Sequence, residues 1–195
     1  MMDILKKCAS GPRAWACAGL ALMTPIAVAA DAQAYYYDGG RRIAIVEQPD
    51  LVAEFGAPVA RARAAGPGAQ LVAGDSLVRV LRVAPGEGAG AQPQGTMAAG
   101  ARSAVYRQNG TAAGRLMALP GGVLVKFQPG WSSQQIDTWL ATRSLPTGQA
   151  MAIGPAWRLL PTAPGSEALA MANRIQESGE VVSASPNWWT QTRAK

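Results

Sequence analysis

Two amphipathic helix patterns, each set between runs that read as strands, restrict this chain more than any other feature. Residues 131–144, WSSQQIDTWLATRS, carry a full start signal. Ser132 stands as N-cap, Gln135 as its reciprocal partner at N3, and Trp131 and Ile136 flank them as a hydrophobic staple. Ile136, Trp139, Leu140 and the stem of Arg143 fall on one face. Residues 165–180, GSEALAMANRIQESGE, repeat the logic. Ala168, Leu169, Ala172, Ile175 and, less strongly, Gln176 form a stripe, and Gly179 occupies the C′ position that favours glycine.

Strand patterns surround both. In VLVKFQPG, Val123, Val125 and Phe127 share one face while Lys126 and Gln128 point the other way, until Pro129-Gly130 breaks the run. AMAIGPAWRLLPTA reads as a strand broken at Gly154-Pro155 and followed by a second. EVVSAS closes the set, with Val181, Ser183 and Ser185 on one face and Val182 and Ala184 on the other. The order β-α-β-β-α-β predicts an α+β, ferredoxin-like split βαβ fold, an antiparallel four-stranded sheet with both helices on one face.

Upstream, Tyr35–Tyr37 and Arg42–Val46 flank Asp38-Gly39-Gly40, a hairpin turn signal. Leu51–Phe55 and Leu77–Val83 are further strand candidates. Residues 35–83 therefore read as a small β-rich module. Residues 84–101, APGEGAGAQPQGTMAAGA, hold Met97 as their one bulky apolar side chain and read as a flexible linker. Residues 102–195 form the second module, opening with a hairpin of Ala104–Arg107 and Arg115–Ala118 around Asn109-Gly110.

Residues 1–34 have the layout of a secretory signal peptide. Lys6, Lys7 and Arg13 precede the apolar stretch Ala14–Ala30, and Ala32-Gln33-Ala34 supplies an A-x-A site before Tyr35. Ala29 and Ala30 are rival cleavage points, and an uncleaved anchor is the alternative. The apolar run is short for a spanning helix and Pro25 interrupts it. An exported protein, periplasmic or extracellular, with no stable membrane insertion after cleavage, is expected.

The chain has no histidine, and its two cysteines, Cys8 and Cys17, lie in that leader. Ser-His-Asp and Cys-His catalysis and zinc sites built from His and Cys are thereby excluded. Acid–base work would fall on carboxylates, Lys or Tyr. Asp38 and Asp50 lie near turn signals; Asp137, Glu167, Glu177 and Glu180 read as solvated helix positions. No phosphate-binding, dinucleotide or HExxH motif is present. The chain is expected not to be an enzyme and to hold no cofactor or metal. Basic residues exceed acidic ones by six, but they are scattered singly apart from Arg41-Arg42, so nucleic acid is not an expected partner.

The segments GGVLVKFQPGWSSQQIDTWLATRSL and GSEALAMANRIQESGEVVSASPNWW resemble the propeptide domains of bacterial subtilisin-like serine proteases. The positions carrying the resemblance are Val123, Val125 and Phe127 in the opening strand, and Leu169, Ala170, Ala172 and Asn173 in the second helix. Gly179, Val181, Ala184, Pro186 and Asn187 carry it in the closing strand, and the match spans roughly residues 119–190. The Tyr-rich Gly-Gly hairpin is similar to one that precedes such propeptides in some longer subtilases. In that family the sheet packs on the protease, the segment after the last strand lies in the substrate cleft, and the domain assists folding of the catalytic domain. A catalytic domain would follow the Pro-Asn strand there, whereas Trp188–Lys195 alone follow here. The resemblance thus implies a free-standing protein that binds, inhibits or helps to fold a separate subtilase. The implied contact residues are Pro186, Asn187, Trp188, Trp189, Thr190, Gln191, Thr192, Arg193, Ala194 and Lys195. Pro186 ends the sheet ladder by removing a donor, and the tail beyond it binds as an extended strand with the two tryptophans as anchors. In the alternative both tryptophans fold back onto the sheet or the first module, and the protein is a non-inhibitory structural or adaptor component of the periplasm or cell surface.

Overall fold

The first hairpin forms where Asp38-Gly39-Gly40 places it. In the computed structural model, which describes residues 33–56, 69–84, 100–111 and 113–192, β1 (Tyr35–Asp38) pairs antiparallel with the start of β2 (Arg41–Phe55). Gly39 and Gly40 take φ of 54° and 78° at the turn. The leader reading of residues 1–32 and the tail residues Arg193, Ala194 and Lys195 lie outside the described residues.

Among the described residues the fold is mixed α+β, with two helices and two antiparallel sheets. β2 runs through both segments that read as separate strands. Pro49, which cannot donate to a ladder, lies in the stretch where the pairing of β2 with β5 (Arg102–Gln108) shifts between Glu47 and Val52. Its second half pairs on the other side with β4 (Val78–Arg82), and β4 pairs with β3 (Gln70–Gly74). β3 was not expected. Its hairpin closes on Asp75, whose Oδ1 accepts from the Leu77 and Val78 amides at 2.8 and 2.9 Å. Glu54 joins three strands, accepting from Arg79 of β4 and Arg102 of β5, each at 2.6 Å.

The first sheet corrects the expected module boundary. β5 and β6 (Leu116–Ala118) lie beyond residues 84–101, yet they join β2 in the order β11-β6-β5-β2-β4-β3. One buried cluster accordingly draws Leu51, Ala53, Phe55, Val78 and Val80 from before that stretch and Val105, Leu116 and Ala118 from after it. Hydrophobic partners, not the composition of the connection, determine which strands share a sheet.

The second sheet comprises β7 (Val123–Lys126), β8 (Gln149–Met151), β9 (Gly154–Leu160) and β10 (Ser183–Pro186), in the order β10-β7-β9-β8. The turn between β8 and β9 falls at Ala152-Ile153, two residues earlier than the expected break, so Gly154 and Pro155 open β9. Between β7 and β8 lies α1 (Ser133–Thr142). Its capping box forms as spelled, the Gln135 amide donating to Ser132 Oγ at 3.2 Å and the Ser132 amide to Gln135 Oε1 at 2.8 Å. α2 (Ser166–Glu177) lies between β9 and β10 and buries Ala168, Leu169, Ala172 and Ile175, the expected stripe. Gln176, its weaker member, accepts from the Ala184 amide at 2.7 Å and ties the helix to β10. The expected alternation at the end is corrected. Val181 and Ala184 are buried while Val182 is exposed, because β10 starts only at Ser183.

Both helices pack on one face of this sheet. Ile136, Trp139 and Leu140 of α1 and Ala168, Ala172 and Ile175 of α2 share a cluster with Val123, Val125, Phe127, Leu160 and Ala184. Leu169 turns the other way. It joins Tyr36, Ile45, Tyr106, Met117 and Leu119 in a second cluster, so α2 is the wedge between the two sheets. Polar contacts reinforce that seam. Asn173 Nδ2 donates to the Tyr35 carbonyl at 2.8 Å, and the hydroxyls of Tyr35 and Tyr37 donate to Glu177 Oε1.

Candidate docking surface and the C-terminal tail

Strand alternation gives the second sheet an opposite face that neither helix covers. Register puts Leu124 beside Leu159 and Ser185, and Lys126 beside Trp157 and Ser183. All six are half-buried and none belongs to a buried cluster. Lys126 Nζ sits 5.7 Å from the Trp157 ring centroid, and its charge is the only one among these six. The face is therefore flat and largely apolar, with two hydroxyls and one cation. Aromatic and aliphatic side chains around few charges suit a protein contact better than a small-molecule site. Alternation alone points Lys126 and Gln128 outward, but the surface is assembled only once β9 lies beside β7 and brings Trp157 and Leu159 to it.

Arg158, between those two residues, points instead to the helix side and is 4% exposed. Its guanidinium donates to the carbonyls of Pro155 and Trp157 and to Ser133 Oγ, at 2.7, 3.1 and 3.1 Å. It thereby fixes the start of α1 to β9.

The residues expected to bind a protease are placed as follows. Pro186 is the buried last residue of β10. Asn187 is held by the loop before β7: its amide donates to the Gly122 carbonyl at 3.0 Å and its side-chain amide to the Gly121 carbonyl at 3.2 Å. Trp188 packs edge-on to Tyr36 and Tyr106 in the seam, with centroids 5.2 and 6.1 Å away. Trp189 and Thr190 form β11, paired antiparallel with Ala118 and Met117 of β6. The Trp189 ring lies against the first-sheet cluster, and its indole N–H donates to Asp75 Oδ2 at 2.6 Å. The Gln191 amide donates to the Leu116 carbonyl at 2.9 Å, and Thr192 follows. Trp189 and Thr190 are extended, and their backbone partner is β6 of the same chain. The expectation of a free tail is corrected: the backbone of residues 189–191 covers the edge of β6, the Trp189 indole N–H finds Asp75, and the Trp188 ring packs in the seam.

Asp75, which no motif in the sequence marks, is the polar anchor. Burial alone would raise its carboxyl, but the Trp189 indole and the Leu77 and Val78 amides outweigh that and hold it below its ordinary value. Glu180 is similarly committed. The Arg143 guanidinium and the Trp139 indole both donate to it and lower its carboxyl. With Glu177 bound by two tyrosines, two of the four carboxylates expected to be solvated are structural acceptors. Among the described residues no group of His, Cys, Asp and Glu could hold a metal ion, and no helix is long and apolar enough to cross a membrane. Comparison with family models, curated proteins and solved structures finds no match to this chain.

Proposed function

We propose that this is an exported, propeptide-like protein that binds a subtilisin-like serine protease, inhibiting it or assisting its folding, and that it acts by binding rather than by catalysis. The observation that carries the reading is the second sheet. Its order β10-β7-β9-β8, with α1 and α2 on one face and Leu124, Trp157 and Leu159 on the other, supports the ferredoxin-like arrangement and leaves one face for a partner. The leader pattern of residues 1–34 supports export. The absence of histidine, and of cysteine beyond Cys17, supports a non-enzymatic role.

Titration of a panel of subtilases with the mature protein and with Trp157→Ala tests this. Loss of a central aromatic anchor costs on the order of 2 kcal/mol or more in binding, about thirtyfold in affinity, while thermal stability should stay nearly constant. Absence of binding to every subtilase in the panel would end the proposal. The closed tail favours a second reading, that of a non-inhibitory structural or adaptor protein, because Trp188–Gln191 are spent on the protein's own first sheet. That reading predicts capture of a non-protease partner from the native secretome by the same open face.

A further inference from the structure

We propose that residues 188–191 form a releasable latch: closed on β6, the tail leaves the protein able to dock by its sheet without blocking a substrate cleft, and release of the tail converts it into an inhibitor. The inference rests on the protease-binding reading for its second half and on the tail's own contacts for its first. The closed contact is short. β11 is two residues long, and the Gln191 amide adds one bond beyond it. The hinge is defined, since Asn187 is fixed to Gly121 and Gly122 on one side and the ladder with β6 starts at Trp189 on the other. Opening can begin after Asn187 and leave β10 and its pairing with β7 untouched.

The closed form also holds an uncompensated group. Trp188 Nε1 is buried with no hydrogen-bond partner among the described residues. A buried donor without an acceptor weighs roughly tenfold or more against the state that buries it. What keeps the tail down is the Trp189 indole on Asp75, at a part of the surface open to solvent, together with the Trp189 ring against the first-sheet cluster and aromatic packing of Trp188 in the seam. A contact of few backbone bonds, one exposed polar anchor and two half-buried rings at the edge of the fold opens locally, before the fold as a whole unfolds. Once open, the tail presents two indoles and an unpaired strand, the elements by which an extended peptide enters an extended-binding cleft.

The test uses the full chain with Cys8→Ala and Cys17→Ala, which is then free of cysteine. Met117→Cys and Thr190→Cys are added to it. Met117 and Thr190 are direct cross-strand partners, within the Cα spacing a disulfide spans, so oxidation locks the latch and reduction frees it in the same molecule. Hydrogen exchange is read at the Gln191 amide, and binding and inhibition are read on subtilases. The unlocked protein should exchange Gln191 about a hundredfold or more faster than the central amides of β5. Asp75→Asn should accelerate it about tenfold further, and the oxidised form should slow it to the β5 rate. The oxidised protein should bind a protease yet fail to inhibit it, with inhibition returning on reduction. Equal inhibition by both forms overturns the latch, as does Gln191 exchange as slow as β5 in the unlocked protein and in Asp75→Asn alike. Fast exchange with no protease bound by either form sustains the latch and overturns the protease reading instead. Should the double-cysteine variant not fold, Asp75→Asn alone decides: accelerated exchange with lowered or unchanged inhibition constant supports the latch, and unaltered exchange refutes it.

Discussion

Leu169→Ala probes whether the two sheets are one cooperative unit. Leu169 is 8% exposed and is the only α2 member of the cluster formed with Tyr36, Ile45, Tyr106, Met117 and Leu119, while its helix neighbours Ala168 and Ala172 belong to the core of the second sheet. Truncation removes the apolar wedge between the sheets without touching the α2 face that packs on β7. A buried Leu→Ala change costs about 2–5 kcal/mol, with the lower figures at sites that can collapse. The half-buried Trp188 beside this cluster can shift into the space, so about 2–3 kcal/mol is expected. For a chain of this size each kcal/mol moves Tm by about 2–4 °C, giving a drop of about 5–10 °C. Ile175→Ala, 3% exposed in the second-sheet core, should lower the same transition by a similar or larger amount. The assay is calorimetry with residue-resolved amide hydrogen exchange, where β7 reports on one core and β5 on the other. Coincident single transitions are expected for all three proteins. Two resolved transitions, only one of which Leu169→Ala moves, or a shift below about 2 °C, would refute the wedge argument.

Three further outcomes follow from the same contacts. Burial foremost, with Glu47 nearby, pushes the Tyr106 hydroxyl up to about 12; below pH 10 both folded and unfolded chains keep it neutral, and above that the unfolded chain ionises first. Stability should therefore fall between about pH 10 and 12 at up to about 1.4 kcal/mol per pH unit, and Tyr106→Phe should make the fall shallower in pH-dependent urea titrations, although Tyr36 and its neighbours keep a part of it. A fragment of residues 102–195 should lose the ordered state of β5, β6 and β11, since Leu51, Phe55, Val78 and Val80 supply their core; unprotected amide hydrogen exchange in β5 and β6 would verify this, and native-like protection there would contradict it. The Ala34 carbonyl accepts from the Ile45 amide at 2.8 Å and Ala34 packs on the seam, so a chain beginning at Tyr35 should be about 1 kcal/mol less stable than one beginning at Ala30 or Asp31, as paired thermal melts will report.

The parts of this fold that local chemistry encodes were legible in the sequence. Ser132 and Gln135 state where α1 begins, the Ala168–Ile175 stripe states which side of α2 is buried, and Gly179, at φ 71°, states where that helix gives way. Val123, Val125 and Phe127 declare their shared face by alternation alone. Each of these signals lies within a dozen residues of the element it specifies, and each was read correctly because no distant partner has to be known. Pro49 shows the limit. Arg42–Val46 and Leu51–Phe55 read as separate strands on either side of it, yet the chain continues as one strand through it, because the pairing with β5 shifts register there instead of ending.

The long-range pairings were not legible, and they decide what the tail does. Residues 84–101 have the composition of a spacer between independent modules, but a spacer is silent about which strands its ends will join; Phe55 and Val105 need each other's apolar surface wherever the connection runs. The same holds for Trp188 and Trp189. Their size says that they must be buried or must bind something, and the sequence carries no term that chooses between the two. The choice depends on whether a receptor exists within the chain, and that receptor is assembled from Asp75, Tyr36, Tyr106 and the edge of β6, with Asp75 separated from Trp189 by 114 positions. An aromatic tail finds an internal seat only if those four elements converge. Because β6 would otherwise be a bare sheet edge, covering it is itself favourable. The tail's seat and the edge's cover are therefore one interaction, and a partner that draws the tail away must also offset the exposure of β6.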